Sequence, residues 1–332
     1  MSDSSPAAAA ASTSRAIRIV SVLVMLATGG ILAVQSQING QLADELGSGP
    51  RAGIAAAVIS FGSGLAVLAV IVVALPSARS GLGRLVGDLR GGRLRPHEVL
   101  GGLFGAYLVA TQGLTVATIG VALFSVAITA GQASSGLLVD HFGIGPSGHQ
   151  PFSYPRAVAA AFAVAAVILA AGERLIESFS VQTVTFALLP LLAGMGTGIQ
   201  LALNGRLNAI GGPWATTFNN FAVGTVALVV GLAVSLLVDG RLGELPGTWW
   251  LYTGGVMGVA VIWFAALLVK IHGVLVLGLC LIAGQVVCAE LIEVLGSSAR
   301  VGIVGVAAGA LTVVGVLVAL LIRPQALKSK NV

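Results

Sequence analysis

Long apolar runs divide the sequence from end to end, and polar residues gather in the short segments between them. A helix rises 1.5 Å per residue, so roughly 20 apolar residues match the ~30 Å hydrocarbon thickness of a bilayer. Ten runs come close to this length. The first five are 17–37, 52–75, 99–117, 120–139 and 155–171, and the second five are 181–201, 213–238, 248–269, 274–295 and 301–322. The alternating ten-residue segments of a membrane β-barrel do not occur. The pattern therefore predicts an all-α membrane protein with ten transmembrane helices.

Lysines and arginines fall unevenly on the two sides of this arrangement. If the N-terminus is cytoplasmic, 13 of the 17 basic residues lie in cytoplasmic segments, and Arg51, Arg174, Arg241 and Arg300 lie outside. Cytoplasmic loops of multi-pass proteins carry such an excess. Both termini are therefore predicted to be cytoplasmic, and the loop 76–96, with its five arginines, is the strongest anchor of that orientation.

The second half of the chain repeats the first. Gln35-x-x-x-Asn39-Gly40-x-Leu42 recurs as Gln200-x-x-x-Asn204-Gly205-x-Leu207. Further elements follow in the same order in both halves: Gly49-Pro50 and Gly212-Pro213, Phe61-x-x-Gly64 and Phe221-x-x-Gly224, Gly101-x-x-x-Gly105 and Gly254-x-x-x-Gly258, and Gly131-Gln132 and Gly284-Gln285.

Each half contains five predicted spans, and because five is odd the second half is inverted in the membrane. Inverted repeats are an architecture of secondary transporters, in which two halves of one shape exchange conformations around a site near the midplane. The predicted organisation is a disordered cytoplasmic tail at 1–16, a first repeat at 17–175, a second repeat at 176–323 and a cytoplasmic tail at 324–332.

Composition agrees with a lipid environment. The chain is 57% hydrophobic and 9% charged, whereas soluble domains carry roughly 25% charged residues. The net charge of +5 is better matched to an anionic membrane surface than to nucleic acid, because the basic residues do not interleave with aromatics. Cys280 and Cys288 share one apolar run, so neither a disulfide framework nor a paired zinc site is predicted.

Several enzyme classes lack their motifs here. None of the three lysines stands in a phosphate-binding loop, so the chain is not itself an ATP-driven pump. The histidines (His97, His141, His149 and His272) show no metalloprotease or zinc spacing. We expect no catalytic activity, no cofactor and no metal.

The repeated elements, together with Gly131-Gln132 followed by Asp140-His141-Phe142-Gly143, resemble the YdcZ-type inner-membrane exporters of the drug/metabolite transporter superfamily. The resemblance covers roughly residues 20–322. It implies ten helices in a five-plus-five inverted repeat and transport of small molecules, and it suggests export. The second half has Glu293 in place of Asp140 and lacks the following His-Phe-Gly.

Two glutamines fall near the predicted midplane. Gln132 lies in the fourth span and Gln285 in the ninth. An uncharged amide offers a donor and an acceptor to a substrate, and an interhelical hydrogen bond is the alternative interpretation.

A second pair of elements lies near the membrane surfaces. Gln35 with Asn39, and Gln200 with Asn204, occupy one helix face each because of their four-residue spacing. They are predicted to act in gating, or alternatively the Asn-Gly pairs end their helices. Pro190 interrupts the sixth span and is predicted to act as a hinge.

The remaining candidates are single residues. Asn219, Asn220 and Ser60 are predicted to line the substrate cavity or to bond neighbouring helices. Tyr107 and Trp263 are predicted as aromatic cavity walls, with core packing or lipid contact as the alternative. Glu290 is the one acid placed within the hydrocarbon, where a carboxyl group tends to stay protonated. It is predicted to couple transport to protons, and an interfacial position is the alternative.

These features predict a secondary transporter for a small organic metabolite or drug-like molecule in a bacterial inner membrane. Its partners are the substrate and the lipid bilayer, and the Gly-x-x-x-Gly elements leave pairing of two copies open. A non-transporting structural or regulatory membrane subunit is the alternative. An intramembrane enzyme would need clustered acids, histidines or nucleophiles at one depth, and the sequence places none there.

Overall fold

The structure, a computed structural model, describes residues 6–152, 154, 156–162, 164–165, 168, 181–237, 241–296 and 314. Helices make up most of this part of the chain: α1 (Pro6–Leu46), α2 (Pro50–Ala74), α3 (Pro76–Arg90), α4 (Gly101–His141), α5 (Val181–Gly211), α6 (Pro213–Ser235) and α7 (Gly254–Gly296), with 3-10 helices at Pro96–Val99 and Trp249–Thr253. Residues 156–162 are also helical. Strand pairing in the described residues is confined to an isolated bridge between Gly47 and Leu242, so the predicted all-α fold is confirmed.

Five of these helices are long and apolar enough, by length and composition, to cross a membrane: Ile19–Leu46, Pro50–Ala74, Phe186–Gly211, Pro213–Ser235 and Trp249–Cys288. Helices α4 and α7 have more residues than one crossing needs, since straight helices of 41 and 43 residues would rise about 60 Å. α7 is interrupted at Gly273, whose φ of 80° and ψ of 171° are not helical. That residue separates the eighth predicted span from the ninth.

Two helix boundaries differ from one interpretation of the sequence. The Asn-Gly pairs were candidates for helix ends, but α1 continues through Gly40 to Leu46 and α5 continues through Gly205 to Gly211. The interpretation as helix ends is therefore wrong. The helices end at Leu46 and Gly211, and Gly49 and Gly212, with φ values of 79° and 82°, are the N-cap residues of the Pro-initiated helices α2 and α6.

The arginine-rich loop contains a helix that the span pattern does not predict. Buried Ala78, Gly81 and Leu85 of α3 recur at helical spacing and pack against the end of α5. A Cβ on Gly81 would lie 2.0 Å from the Gly211 carbonyl oxygen, and Arg84 Nε donates to the Ile210 carbonyl oxygen at 2.8 Å. The arginines of this loop are thereby held at one end of the bundle.

Each half packs its long helix on the first helix of the other half. In the crossing of α4 on α5, a Cβ on Gly131 would lie 2.0 Å from the Leu191 carbonyl oxygen. In the crossing of α7 on α1, a Cβ on Gly284 would lie 1.9 Å from the Leu26 carbonyl oxygen. Glycine allows backbones to touch in this way. The largest buried cluster lies where α1, α5 and α7 meet and includes Met25, Ala202, Val269, Leu277 and Cys280.

Candidate functional site

The contact between α2 and α6 joins the two halves. The Phe61 and Phe221 rings lie 5.0 Å apart between centroids. Each ring packs on the glycine of the other helix, so a Cβ on Gly64 would lie 2.4 Å from Phe221 and a Cβ on Gly224 would lie 2.5 Å from Phe61. The Phe-x-x-Gly repeat is therefore one reciprocal contact, and the two polar clusters that flank it occupy related positions.

The first of these, the amide cluster, consists of Gln200, Asn204 and Asn220. Gln200 Nε2 donates to Asn220 Oδ1 at 3.3 Å, and Asn220 Nδ2 donates to Asn204 Oδ1 at 3.1 Å. All three side chains are buried. They pack against Gly101 and Gly105 of α4, so hydrogen bonds join α5 to α6 and packing adds α4. Asn204 Nδ2 is buried and has no hydrogen-bond partner among the described residues.

The second, the serine cluster, consists of Gln35, Asn39 and Ser60 at the related positions of the first half. These residues lie against Gly254 and Gly258 of α7, as their counterparts lie against α4. Here the shorter serine stands where the amide cluster has Asn220. Asn39 Oδ1 and Ser60 Oγ are buried and have no hydrogen-bond partner among the described residues, although both line the same small space beside Gly254. The serine cluster is thus a packed but unbonded version of the amide cluster.

The two glutamines predicted near the midplane have partly exposed amides. Gln132 and Gln285 are half-buried, and neither side chain hydrogen-bonds to a described residue. The Gln132 amide lies beside Gly278 of α7, where an added Cβ would meet Nε2 at 3.2 Å. Within the described residues the interhelical hydrogen bond offered as their alternative role is therefore not made.

The other predicted site residues lie apart from these clusters and from each other. Asn219 Nδ2 donates to the Val99 carbonyl oxygen at 2.8 Å and so ties α6 to the first 3-10 helix. Trp263 packs between Trp214 and Phe264, at 5.3 and 5.0 Å between centroids, and its buried Nε1 has no partner in the described residues. Pro190 is buried inside α5. The Glu290 side chain lies outside the described residues.

Tyr107 borders a groove between α4 and α5. Its hydroxyl donates to the Leu189 carbonyl oxygen at 3.4 Å, and the residue is 36% exposed. The groove has a volume of about 810 Å³ and an almost entirely apolar wall, formed by His97, Leu100, Leu103, Phe104, Tyr107, Ile144, Leu192, Ile199, Leu203 and Arg206.

A buried ion pair that the sequence interpretation misses lies at the break in α7. Asp140 and Arg156 are joined at 2.5 Å, with side chains 0% and 10% exposed. The same carboxylate accepts hydrogen bonds from Val274 N at 2.9 Å and Leu275 N at 3.0 Å. It thus caps the helix that restarts after Gly273, where an anion is favoured. The available signal was the Asp140-His141-Phe142-Gly143 motif, which the second half lacks.

A second ion pair joins the halves nearby. Arg206 Nη1 lies 2.7 Å from Glu98 Oε1. Burial disfavours the charged form of Glu98, but hydrogen bonds from the Arg95 backbone and from Arg206, with the Arg206 charge, outweigh it and lower the pKa of this carboxyl below its ordinary value of 4.5. The position related to Arg206 in the first half is Gln41, so this pair has no ionic counterpart at the serine-cluster end.

No three His, Cys, Asp or Glu side chains come together to hold a metal ion in the part of the chain that the structure describes. The polar groups around the glycine crossings are instead uncharged amides and hydroxyls. They can exchange hydrogen bonds with a ligand or with each other, and they supply neither a nucleophile with its base nor a pair of acids.

Comparison with known proteins gives one family and one fold. The family model described as "Putative inner membrane exporter, YdcZ" matches residues 20–169 and again residues 185–321. One solved structure, described only as "Crystal structure of protein", superposes with a TM-score of 0.64, at 16% identity, over 91% of this chain and 96% of that chain. At that identity the likeness shows the fold alone. No curated protein matches the sequence.

Proposed function

The chain belongs to the YdcZ family of inner membrane exporters, and from that premise we propose that it is a secondary transporter, which moves a small organic metabolite or drug-like molecule across the bacterial inner membrane by alternating access. The observation that carries the proposal is the reciprocal packing of the two halves. Because the two inverted halves make related contacts with each other, they can exchange conformations. That exchange opens the central site first to one side of the membrane and then to the other.

We further propose the ten-helix, five-plus-five layout for this carrier. Two contacts of α5 support a turn within α4. A Cβ on Gly196 would lie 2.7 Å from Phe104, whereas a Cβ on Gly198 would lie 2.4 Å from Ser135. A straight helix would separate Phe104 from Ser135 by about 46 Å, so α4 must double back to bring both against adjacent turns of α5. Together with the break at Gly273, this supports two crossings each for α4 and α7.

The proposed orientation places the amide cluster at the cytoplasmic side. Gly205 lies beside Pro146, and Arg84 of α3 binds the end of α5, so the amide cluster, the Asp140 loop and the arginine-rich helix share one end. The excess of lysine and arginine assigns such an end to the cytoplasm. In this arrangement the amide cluster is a cytoplasmic gate and the serine cluster is an external gate, with Pro190 as a hinge in α5.

The proposed substrate site lies between these gates at Gln132 and Gln285. Their half-buried amides, which make no hydrogen bond to a described residue, support it, since polar groups inside a membrane normally find partners. Trp263 stays a prediction as an aromatic wall of this site, whereas Tyr107 lines the separate groove between α4 and α5. Asn219, whose amide is already occupied, is better explained as a helix tie. Coupling through Glu290, and export as the direction, remain predictions.

The test is a thermal-shift screen of the purified protein against metabolites and drug-like compounds, followed by transport assays of each hit in proteoliposomes. A bound substrate raises the melting temperature in proportion to its occupancy. The double variant Gln132→Ala, Gln285→Ala is expected to lose both the shift and transport. Ser134→Ala is the matched control, because that side chain is exposed on α4 and bonds only its own helix.

Two outcomes would oppose the proposal. A hit that binds but never crosses the membrane in proteoliposomes would favour the non-transporting subunit. A double variant that binds and transports like the wild type would remove the site from the midplane glutamines.

A further inference from the structure

The groove between α4 and α5 is open to the side of the helix bundle. Four apolar or aromatic residues on its rim, Leu100, Leu103, Tyr107 and Leu192, are 36–53% exposed, while Phe104, Ile199 and Leu203 form its floor. In a membrane this opening faces lipid. A volume of about 810 Å³ falls within the range of small-molecule sites, roughly 300–1,000 Å³.

The length of the groove matches one leaflet of the bilayer. Its lining on α5 extends from Leu192 to Arg206, over which the helix rises about 21 Å. Half of a bilayer, including its headgroup region, measures about 20–22 Å. Arg206 and His97 lie at one end of the groove and Leu192 lies at the other, so its polar end and its apolar end are ordered as in a lipid molecule.

The polar end is cationic. Arg206 is 42% exposed and gives one nitrogen to Glu98, which leaves the other donors of its guanidinium directed to the surroundings. The adjacent segment 76–100 has five arginines against Asp88 and Glu98, so the charge around this end is positive. At the related positions of the other half stand Gln41 in place of Arg206 and Trp250 in place of His97. The related position in the other half therefore lacks these basic side chains, and the cationic end is specific to this groove.

We propose that this groove binds an anionic phospholipid of the adjacent leaflet, with an acyl chain along Leu103, Tyr107 and Leu192 and the phosphate at Arg206. Basic sites between transmembrane helices bind such headgroups. The lipid touches the residue that pairs with Glu98, and so it stabilises the contact between α5 and the first 3-10 helix at the amide-cluster end. This site is separate from the proposed substrate site and does not depend on transport.

The test is a titration of the purified protein with phosphatidylglycerol or phosphatidylcholine of equal chain length, followed by native mass spectrometry. Arg206→Gln installs the residue of the other half and is expected to weaken phosphatidylglycerol binding about fivefold, the contribution of one cation near an anionic headgroup. Leu103→Trp is expected to fill the groove and to weaken both lipids. Arg90→Gln is the control, because it removes one exposed charge at the same end without touching the groove.

A final variant separates lipid binding from loss of the ion pair. Glu98→Gln removes the carboxylate but keeps Arg206, so phosphatidylglycerol binding is expected to persist or strengthen. Three results would overturn the proposal: equal binding of the two lipids by the wild type, equal losses in Arg206→Gln and Arg90→Gln, or full binding in Leu103→Trp.

Discussion

The two polar clusters beside the Phe61–Phe221 contact share a sequence motif but differ in their bonding. In the amide cluster, Asn220 joins Gln200 to Asn204. In the serine cluster, Ser60 takes the place of Asn220 and leaves its own hydroxyl and Asn39 Oδ1 without partners among the described residues. Both clusters are tightly packed against glycines of the opposite half. Replacing an asparagine by a serine at one related position is thus accompanied by a loss of hydrogen bonds between otherwise similar interfaces.

Among the described residues, the end of the bundle that contains the amide cluster is also held by more ionic contacts than the end that contains the serine cluster. The amide-cluster end also has the Asp140–Arg156 and Arg206–Glu98 ion pairs. At the other end, the ties between described residues include Gly243 N to the Leu46 carbonyl oxygen at 2.7 Å, Ser63 Oγ to the Tyr252 carbonyl oxygen at 3.3 Å and a bond from Arg51 to the Ser235 carbonyl oxygen at 2.7 Å. We infer that the amide-cluster end is the harder of the two to open.

The largest expected effect comes from removing the ion pair that strengthens the amide-cluster end. Asp140→Ala leaves Arg156 buried without its partner and uncaps the helix after Gly273. A loss of about 3–5 kcal/mol in the free energy of unfolding is expected, measured in mixed mild and denaturing detergent micelles. The double variant Asp140→Ala, Arg156→Leu should recover part of that loss, and an unchanged stability in Asp140→Ala would contradict the buried pair.

The next effect compares the two clusters directly. Asn220→Ala removes two hydrogen bonds and leaves Gln200 and Asn204 without these partners. A loss of about 1–3 kcal/mol in the free energy of unfolding is therefore expected. Ser60→Ala removes a hydroxyl that has no described partner, so stability should stay within about 0.5 kcal/mol of the wild type. The same unfolding assay measures both variants. Equal losses would show that the clusters do not differ as described.

A third change makes the serine cluster resemble the amide cluster. Ser60→Asn supplies the side chain that stands at the related position 220, where it bonds Asn204. If the new side chain bonds Asn39 in the same way, a gain of about 1 kcal/mol in the free energy of unfolding is expected. If the serine cluster is the proposed external gate, a stronger cluster should open less often, and transport of an identified substrate should slow in proteoliposomes. Asn220→Ser is the reciprocal control and should lower stability. A destabilised Ser60→Asn protein would argue that the serine cluster has no room for a bond.

The smallest expected effect is a pH dependence of the amide-cluster end. Glu98 has a lowered pKa in the folded protein, so its contribution to stability is present above its ordinary value of 4.5 and is lost as the pH falls below that value. Because Arg206 is partly exposed, the contribution should be below about 1 kcal/mol. Unfolding at pH 7 and pH 3.5 measures it. Glu98→Gln should remove this part of the acid sensitivity, and an unaltered difference in that variant would assign it to other groups.

Much of the architecture could be predicted from the sequence because lipid restricts the choice of structure. Apolar run length predicted an all-helical membrane protein, and the repeated Gln, Asn and Gly positions predicted two related halves. The family match to both halves agrees with this. Helix α3 was missed because its apolar stripe of Ala78, Gly81 and Leu85 is short and lies among arginines, where a search for long apolar runs does not find it.

The bonding of the candidate site could not be predicted, since it depends on contacts between residues that are far apart in the chain. The four-residue spacing of Gln200 and Asn204 placed them on one face, but only the crossing of α5, α6 and α4 brings Asn220 between them. The sequence shows Asp140 only as part of a motif, because the backbone groups that it binds, at Val274 and Leu275, lie in the other half.

The most direct test of the central claim, that the two ends open to different extents, is a distance measurement between spin labels at related positions. In a Cys280→Ala, Cys288→Ala background, one pair replaces exposed His97 and Ala209 at the amide-cluster end, and the other replaces exposed Trp250 and Asp44 at the serine-cluster end. The account predicts a narrow distribution for the first pair and a broad one for the second, with Asn220→Ser broadening the first. Two results would contradict this claim. One is equally narrow distributions for the two pairs, and the other is a broader distribution for the amide-cluster pair when Asn220 is unchanged.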